Sequence, residues 1–152
     1  MKEKDSVTRV VRSCCADDLD AVTLIWLTGN LDAHSFISAD YWRAAVPFVR
    51  KALTQSEVYV CADARSREIL GFVGMSGEFL EGIFTRAEYR SQGVGRALLD
   101  CVKETRTKIV LKVYQQNEKA LRFYLREGFE RSAEGIDVAT GAAEATLVWR
   151  RE

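Results

Sequence analysis

The residues best able to do chemistry in this 152-residue chain form the segment Arg90-Ser91-Gln92-Gly93-Val94-Gly95-Arg96-Ala97, between a predicted strand and a predicted helix. Two glycines one residue apart let backbone N–H groups turn inward without obstruction by side chains. The first turn of the helix adds unpaired N–H donors and a partial positive charge. The segment therefore predicts a cradle for an anion such as phosphate. A plain tight turn is the alternative that the glycines alone also allow.

Two common phosphate-binding motifs are excluded. A P-loop requires Gly-x-x-x-x-Gly-Lys-Ser/Thr, which no part of the chain matches. A dinucleotide fingerprint needs a third glycine three residues after Gly95, where Leu98 stands. What remains is Arg-x-x-Gly-x-Gly at a strand–helix junction. Its surroundings suit a phosphorylated ligand, because residues 86–131 hold 11 Lys and Arg against 6 Asp and Glu, a net charge of +5.

The hydrophobic pattern predicts the elements that must hold this turn. Strands are predicted over residues 7–12, 58–62, 69–75, 79–85, 108–114, 129–133 and 145–149. Helices are predicted over residues 19–29, 41–52 and 118–127, with a further one beginning at Val94. This alternation of strands and helices predicts an α/β or α+β fold, in which helices cover the faces of a sheet.

Single residues refine this outline. Gly29-Asn30 predicts a turn that ends the first helix, and Pro47 predicts a kink or break in the second. Gly82 predicts a bulge or a close backbone approach in the strand over residues 79–85. Asn117 is expected to cap the last helix and Gly128 to end it.

Composition limits the class of protein. The 22 Lys and Arg balance the 22 Asp and Glu, which argues against nucleic acid as the main partner. The longest apolar run, residues 21–27, is far shorter than the ~18 residues of a membrane span, and no secretory signal opens the chain. One His and four Cys without a Cys-x-x-Cys pair predict no metal site and buried free thiols. We expect one cytoplasmic domain over residues 1–152, a monomer or homodimer without a membrane partner.

The Arg-x-x-Gly-x-Gly turn resembles motif A of the GNAT superfamily of acyl-CoA-dependent N-acyltransferases. A second block, Asn117-x-x-Ala120-x-x-Phe123-Tyr124-x-x-x-Gly128-Phe129, resembles motif B of the family at the expected distance downstream. Two motifs in the right order are far more specific than one. Phe36, Tyr41-Trp42 and Val113-Tyr114-Gln115 are in addition similar to small bacterial members of the family.

The resemblance implies a mixed, mostly antiparallel sheet that splays between two central parallel strands, those over residues 79–85 and 108–114. The cofactor pyrophosphate is then expected at the backbone amides of the turn, and the pantetheine arm along the strand over residues 79–85. Asn117 is expected to contact pantetheine or order the cleft, or else only to cap its helix. The expected cofactor residues are Ile83, Phe84, Thr85, Arg90, Gln92, Gly93, Val94, Gly95, Arg96, Ala97, Asn117 and Tyr124. The resemblance implies acetyl-CoA as cosubstrate and no metal.

Acetyl transfer needs an acid and a base. Attack of an amine on the thioester forms a tetrahedral oxyanion and releases a CoA thiolate, to which a phenol can donate a proton. The family has a Tyr at the position of Tyr124, for which core packing is the alternative role. Glu81 is the first candidate for the base, since strand alternation places it on one face with Ile83. Glu78, His34 and water are alternative bases, and an exposed carboxylate in a salt bridge is the other interpretation of Glu81.

The acceptor amine is expected near five side chains, although core packing is the default role of each aromatic residue. They are His34, Phe36, Tyr41, Trp42 and Tyr114. We therefore expect an enzyme that moves the acetyl group of acetyl-CoA to a primary amine, with protein lysine favoured, by direct attack in a ternary complex. A CoA-binding sensor without catalysis is the alternative. An enzyme that acetylates charged tRNA is disfavoured by the neutral charge balance.

Overall fold

The computed structural model describes residues 8–152 and contains, within them, seven strands and four α-helices. The strands are β1 (Arg9–Ser13), β2 (Glu57–Asp63), β3 (Ile69–Ser76), β4 (Phe79–Thr85), β5 (Lys108–Tyr114), β6 (Glu130–Ile136) and β7 (Ala143–Arg150). The helices are α1 (Leu19–Ala33), α2 (Ala39–Leu53), α3 (Val94–Glu104) and α4 (Glu118–Arg126). Val7, where the first strand is predicted to begin, and the N-terminal residues searched for a secretory signal lie outside the described residues.

All seven strands form one sheet in the order β1-β2-β3-β4-β5-β7-β6. Neighbouring strands are antiparallel except β4 and β5, which are parallel. Adjacent residues of β3 face opposite layers: Phe72 packs with α1, whereas Val73 packs with α3. The predicted mixed sheet with helices on its faces is confirmed.

Two apolar cores lie on the two faces of the sheet. The larger core joins α3 and α4 to the sheet and includes Val73, Met75, Leu98, Leu99, Leu111, Leu121 and Leu147. The smaller core lies under α1 and includes Val22, Ile25, Val60 and Phe72. The prediction of buried thiols holds for Cys61 but is wrong for Cys15, which is exposed; Cys14 and Cys101 are half-buried. Cys15 is exposed because it lies at the surface turn before α1, where its thiol donates to the Asp18 carboxylate.

The sheet opens between its two parallel strands. β4 and β5 pair only at Phe79 with Val110 and at Leu80 with Leu111. Beyond Leu80, β4 remains paired with β3 as far as Thr85, and β5 remains paired with β7. Within the described chain, residues 81–85 therefore have no strand partner on the side of β5. This is the splayed cleft that the sequence predicts.

Helix α1 is longer than the sequence predicts. Gly29 and Asn30, predicted to form a turn, are buried inside the helix, which ends at Ala33. A Cβ on Gly29 would lie 2.7 Å from Cδ1 of Phe84, so the glycine permits a close approach of α1 to β4. Gly29 therefore serves packing rather than helix termination.

Two further predictions about the elements are wrong. Helix α2 runs through Pro47 without a break. Proline deprives the carbonyl of Arg43, four residues earlier, of its helical partner, but both residues are exposed and water can take that place. Strand β6 continues to Ile136, beyond its predicted end, because it pairs with β7 as far as Ala143. All seven residues of β6 are exposed, so the hydrophobic alternation that marks a strand is absent.

Candidate active site

The glycine-rich turn starts helix α3. Gly93 is the N-cap, and its φ of +87° is a left-handed conformation that suits glycine. Ala97 N donates to Gly93 O at 3.0 Å as the first helical hydrogen bond. The N–H groups of Val94, Gly95 and Arg96 precede that bond, so they have no partner within the helix. These donors and the positive end of the helix dipole have the arrangement that the predicted anion cradle requires.

The turn lies beside the opening between β4 and β5. The position of a Cβ on Gly95 is 3.5 Å from Cζ of Phe123 on α4 and 3.8 Å from Cγ2 of Ile83 on β4. The start of α3 therefore meets both α4 and the unpaired part of β4. The residues predicted for pyrophosphate and for pantetheine are thus brought together in one continuous surface.

The basic side chains of the turn have partners of their own. Nη2 of Arg90 lies 3.3 Å from Oδ2 of Asp32 on α1, and Nε of Arg96 lies 3.8 Å from Oε1 of Glu127. Both arginine side chains are exposed to solvent, where ion pairs are weak, although Glu127 itself is mostly buried. Both arginines thus already have a carboxylate partner, whereas the backbone amides at the start of α3 have none within the helix.

Arg9 on β1 reaches this turn, although it was not among the predicted site residues. Its Nη1 lies 3.4 Å from the position that a Cβ would take on Gly93. Its Nε is buried and makes no hydrogen bond in the described part of the chain. The sequence does contain one sign of this position: Arg9 stands beside valines in a strand that has no clean polar face. The structure therefore places a guanidinium beside the turn.

Tyr124 lies on the buried face of α4. Its side chain is 7% exposed and packs edge-on between the rings of Phe123 and Phe129, at centroid distances of 5.2 and 5.4 Å. Burial raises the pKa of its phenol well above the usual range, so the group is protonated at neutral pH. Among residues 8–152 no side chain or carbonyl accepts a hydrogen bond from its hydroxyl. Tyr124 is therefore a neutral phenol with a proton available for donation.

Glu81 is the extra residue of a bulge. Gly74 pairs with Gly82 and Met75 with Leu80, which leaves Glu81 without a counterpart on β3. The bulge therefore lies directly beside Gly82, as the sequence predicts. It reverses the alternation, so Ile83 joins the larger core under α3 while Phe84 packs on the α1 side.

The expectation that Glu81 and Ile83 share a face is therefore wrong. Glu81 lies instead on the α1–α2 side, at a cavity of about 120 Å³ whose apolar lining includes Trp26, Leu53, Phe72 and Phe84. Its carboxylate accepts a hydrogen bond from the hydroxyl of Ser76. An exposed carboxylate beside an apolar cavity can meet an amine that enters from this side.

His34, just after α1, is buried with both ring nitrogens occupied. Nδ1 lies 2.9 Å from Oδ1 of Asn30, and Nε2 lies 3.1 Å from Nδ2 of Asn117. Oδ1 of Asn117 accepts from Ala120 N at 3.3 Å, so Asn117 is the cap of α4 that the sequence predicts. Burial lowers the pKa of His34 to about 4. With no free lone pair, His34 in this arrangement cannot take a proton from a substrate.

Aromatic rings from three elements surround His34. Its ring centroid lies 5.6 Å from Phe36, 5.5 Å from Trp42 and 4.9 Å from Tyr114, and Tyr41 packs on Trp42 at 4.9 Å. The five predicted acceptor residues therefore form one cluster, which we call the aromatic wall: His34, Phe36, Tyr41, Trp42 and Tyr114. Tyr41 is its exposed member, whereas Trp42 is buried.

Asp137 anchors the aromatic wall to the β6–β7 loop. The hydroxyl of Tyr114 donates to its Oδ2 at 2.5 Å. This hydrogen bond lowers the pKa of Asp137, whereas burial and the same bond raise that of Tyr114. Asp137 lies in a polar loop without a motif, so nothing in the sequence marks it as part of the site.

Residues 8–152 offer neither a metal centre nor a membrane-spanning helix. No cluster of three or more His, Cys, Asp and Glu side chains there is arranged to hold a metal ion. None of the helices in this part of the chain has the length and apolar character needed to cross a bilayer.

Known proteins are similar to this chain in both sequence and fold. The family described as Acetyltransferase (GNAT) domain matches residues 54–131. The peptidyl-lysine N-acetyltransferase YiaC of Escherichia coli (strain K12) is 34% identical over 122 residues, covering 79% of this chain and 82% of the relative. The peptidyl-lysine N-acetyltransferase YjaB of the same strain is 28% identical over 120 residues, 79% of this chain and 81% of the relative.

Solved structures agree with this result. The solution structure of apo-form YjaB from Escherichia coli has a TM-score of 0.84 at 24% identity, covering 95% of this chain and 99% of that one. The PaiA N-acetyltransferase of Thermoplasma acidophilum, solved in complex with coenzyme A, has a TM-score of 0.77 at 14% identity, with 94% and 99% covered. At these identities the structural matches establish the fold.

The chain belongs to the GNAT acetyltransferases. It is an N-acetyltransferase that uses acetyl-CoA as its cosubstrate, and the predicted likeness to small bacterial enzymes of the YiaC and YjaB type is confirmed.

Proposed function

We propose that this enzyme acetylates the side-chain amine of protein lysine residues in the cytoplasm. The relatives at 34% and 28% identity are both named peptidyl-lysine N-acetyltransferases. The observation that carries the proposal is the opening between β4 and β5, which has the turn of α3 beside Ile83 of β4 and Tyr114 of the aromatic wall at the end of β5. Cofactor and amine can therefore meet at this opening.

The cofactor is proposed to lie along β4 and the start of α3. Residues 83–85 have no partner on the β5 side, so their backbone can pair with the amide groups of the pantetheine arm. The pyrophosphate would occupy the amides of residues 92–97, with the Arg9 guanidinium adding charge-assisted hydrogen bonds. Arg90, Phe84 and Asn117 border this path.

Acetyl transfer is proposed to proceed by direct attack. The amine nitrogen bonds to the thioester carbonyl carbon, the C–S bond breaks, and the departing thiolate takes a proton from the Tyr124 hydroxyl. The second proton, which the nitrogen loses as the amide forms, passes to the Tyr124 phenolate directly or through water and restores the phenol. Glu81 removes a proton from the attacking ammonium, directly or through water in the adjoining cavity. Its position on the α1–α2 side supports this role, because the aromatic wall also involves α2.

The aromatic wall is proposed to receive the aliphatic part of the lysine side chain. Its rings offer apolar surface, and the exposed Tyr41 extends it toward a protein substrate. An exposed Phe48 lies two turns further along α2, 76% accessible to solvent, and continues this surface.

The test is a thiol-release assay with a panel of amines. We expect thiol release from acetyl-CoA to depend on a lysine-containing peptide and to exceed that with polyamines and free amino acids. Mass spectrometry should locate the acetyl group on the lysine side chain. Acetylation of small amines but not of the peptide would contradict the proposed acceptor, and binding of acetyl-CoA with no amine-dependent release would contradict the mechanism.

A further inference from the structure

We infer that His34 is a positioning residue, which acts through Asn117 to hold helix α4 and its Tyr124 hydroxyl against the acceptor side of the cleft. This role rests on the acetyl transfer proposed above. The relevant contacts join the end of α1 to the start of α4, two segments far apart in the sequence. His34 is 8% exposed, so its hydrogen bonds are shielded from competing water.

The hydrogen bonds that link Asn30, His34 and Asn117 can run in only one direction, because backbone groups fix the orientation of both amides. Nδ2 of Asn30 donates to the Trp26 carbonyl at 2.9 Å, so Oδ1 of Asn30 faces His34 as an acceptor. Oδ1 of Asn117 accepts from Ala120 N, so Nδ2 of Asn117 faces His34 as a donor. His34 must therefore carry its proton on Nδ1 and accept at Nε2. Because a backbone group fixes the orientation of each amide, only one tautomer of His34 satisfies both hydrogen bonds.

Helix α4 transmits this constraint to Tyr124. Asn117, Leu121 and Tyr124 follow i, i+4, i+7 spacing, so the cap and the phenol share one face of the helix. The other end of α4 is held by Lys103, whose Nζ donates to the Glu127 carbonyl at 2.7 Å. Fixing both ends of a nine-residue helix fixes the depth and rotation of the phenol between them.

His34 also contacts the rings of the aromatic wall, on the proposed acceptor side. Its ring contacts Phe36 and Tyr114 edge-on, at 5.6 and 4.9 Å. A change in these rings would move the imidazole and, through it, Asn117. His34 therefore connects the surface proposed to receive the amine with the group proposed to protonate the thiolate.

The geometry is tested by nitrogen-15 NMR of the imidazole ring, since this chain has a single histidine. We expect a protonated Nδ1 and an unprotonated Nε2 at neutral pH. Asn117→Ser keeps a capping oxygen but is too short to reach the ring, so it should shift the Nε2 resonance and leave Nδ1 protonated. An Nε2–H tautomer, or an Nε2 resonance unchanged by Asn117→Ser, would overturn the inference.

The function is tested by a double-mutant cycle. His34→Phe keeps a ring among the aromatic residues and removes both hydrogen bonds. We expect it to lower kcat between about tenfold and about 100-fold, because small misplacements of reacting groups are costly, while KM for acetyl-CoA changes less than about twofold. His34→Phe combined with Asn117→Ser should be no slower than the slower single variant. Losses that multiply, or an unchanged kcat in His34→Phe, would contradict a role through Asn117.

Thr23→Val is the matched control. It removes another buried hydrogen bond of α1, from the Thr23 hydroxyl to the Leu19 carbonyl at 2.7 Å, and should lower the melting temperature without lowering kcat. If the peptide is not acetylated, the proposal of a lysine acceptor is contradicted, but the role of His34 can still be tested. The cycle is then measured with whichever amine the panel identifies, or with hydrolysis of acetyl-CoA, and the NMR result is independent of turnover.

Discussion

The two sides of the cleft are built in different ways. On the proposed cofactor side the donors are backbone groups of one continuous turn and of the strand that precedes it, and the nearby side chains are largely exposed. On the proposed acceptor side the surface consists of side chains from α2, β5 and the loop after α1, of which His34 and Tyr114 are held by hydrogen bonds to Asn30, Asn117 and Asp137. We expect the first side to tolerate many side chains but few backbone changes. We expect the second to depend on the identity of each side chain.

Tyr124, the proposed acid, should give the largest effect. Tyr124→Phe removes only the hydroxyl group and leaves the packing against Phe123 and Phe129. We expect kcat to fall roughly 100-fold while the Kd for acetyl-CoA, measured by calorimetry, stays the same. Unchanged turnover would remove Tyr124 from the mechanism.

Gly93→Val tests the claim that the cofactor side depends on backbone. A β-branched residue at φ +87° is strained by about 2 kcal/mol, and relief of that strain would move the amides of the turn. Affinity for acetyl-CoA should fall about 30-fold. Gln92→Ala, which alters only an exposed side chain of the same turn, serves as the control and should retain most of the affinity.

Glu81→Gln tests the base. Turnover of a lysine peptide at pH 7 should fall about tenfold, and the loss should shrink as the pH rises toward the pKa of the amine, near 10.4, because the amine then deprotonates without help. The exposed Glu78→Gln, three residues earlier, is the matched control and should retain wild-type rates. A deficit that persists at high pH would indicate a structural role for Glu81.

Tyr114→Phe tests the acceptor side alone. The substitution removes the hydrogen bond to Asp137 at 2.5 Å and releases the β6–β7 loop from the aromatic wall. We expect KM for the peptide to rise about fivefold, as for the loss of one hydrogen bond, with KM for acetyl-CoA unchanged. An equal rise in both constants would show that the two sides are not separable.

The smallest effect concerns stability in mild acid. The pKa of His34 is lowered to about 4 by burial, whereas in the unfolded chain it lies near 6.5. Below pH 6.5 the unfolded state therefore takes up a proton that the folded state does not bind. The free energy of unfolding consequently decreases as the pH is lowered. Between pH 7 and pH 5.5 the loss should be about 1 kcal/mol. His34→Phe should abolish this pH dependence in urea titrations; its persistence would assign it to another group.

The contrast between the two sides also explains what could be predicted from the sequence. The turn proposed to bind the cofactor lies in one short segment, and its backbone conformation follows from two glycines before an amphipathic helix. The bounds of β4 and β5 followed from their hydrophobic pattern. In contrast, the bond from His34 to Asn117 joins distant segments, and Asp137 lies in a loop without a motif. No local pattern predicts such contacts.

The wrong predictions share a physical cause, since each applied a local rule where the surroundings decide. Gly29 fits a helix terminator by type, but its missing side chain admits the Phe84 ring. Pro47 stands inside a helix at an exposed position, where water can replace the lost hydrogen-bond partner of the Arg43 carbonyl. The bulge at Glu81 inverts every later residue of β4, which simple alternation cannot anticipate.

The contact of Phe84 with Gly29 links the first helix to the cofactor path. The side chain of Phe84 fills the space above two glycines, Gly29 and Gly82, and stacks on Phe72 at 5.4 Å. Its main chain belongs to the stretch along which the pantetheine arm is proposed to run. A single methyl group added at Gly29 would press on that ring, so helix α1 constrains the part of β4 along which coenzyme A is proposed to lie.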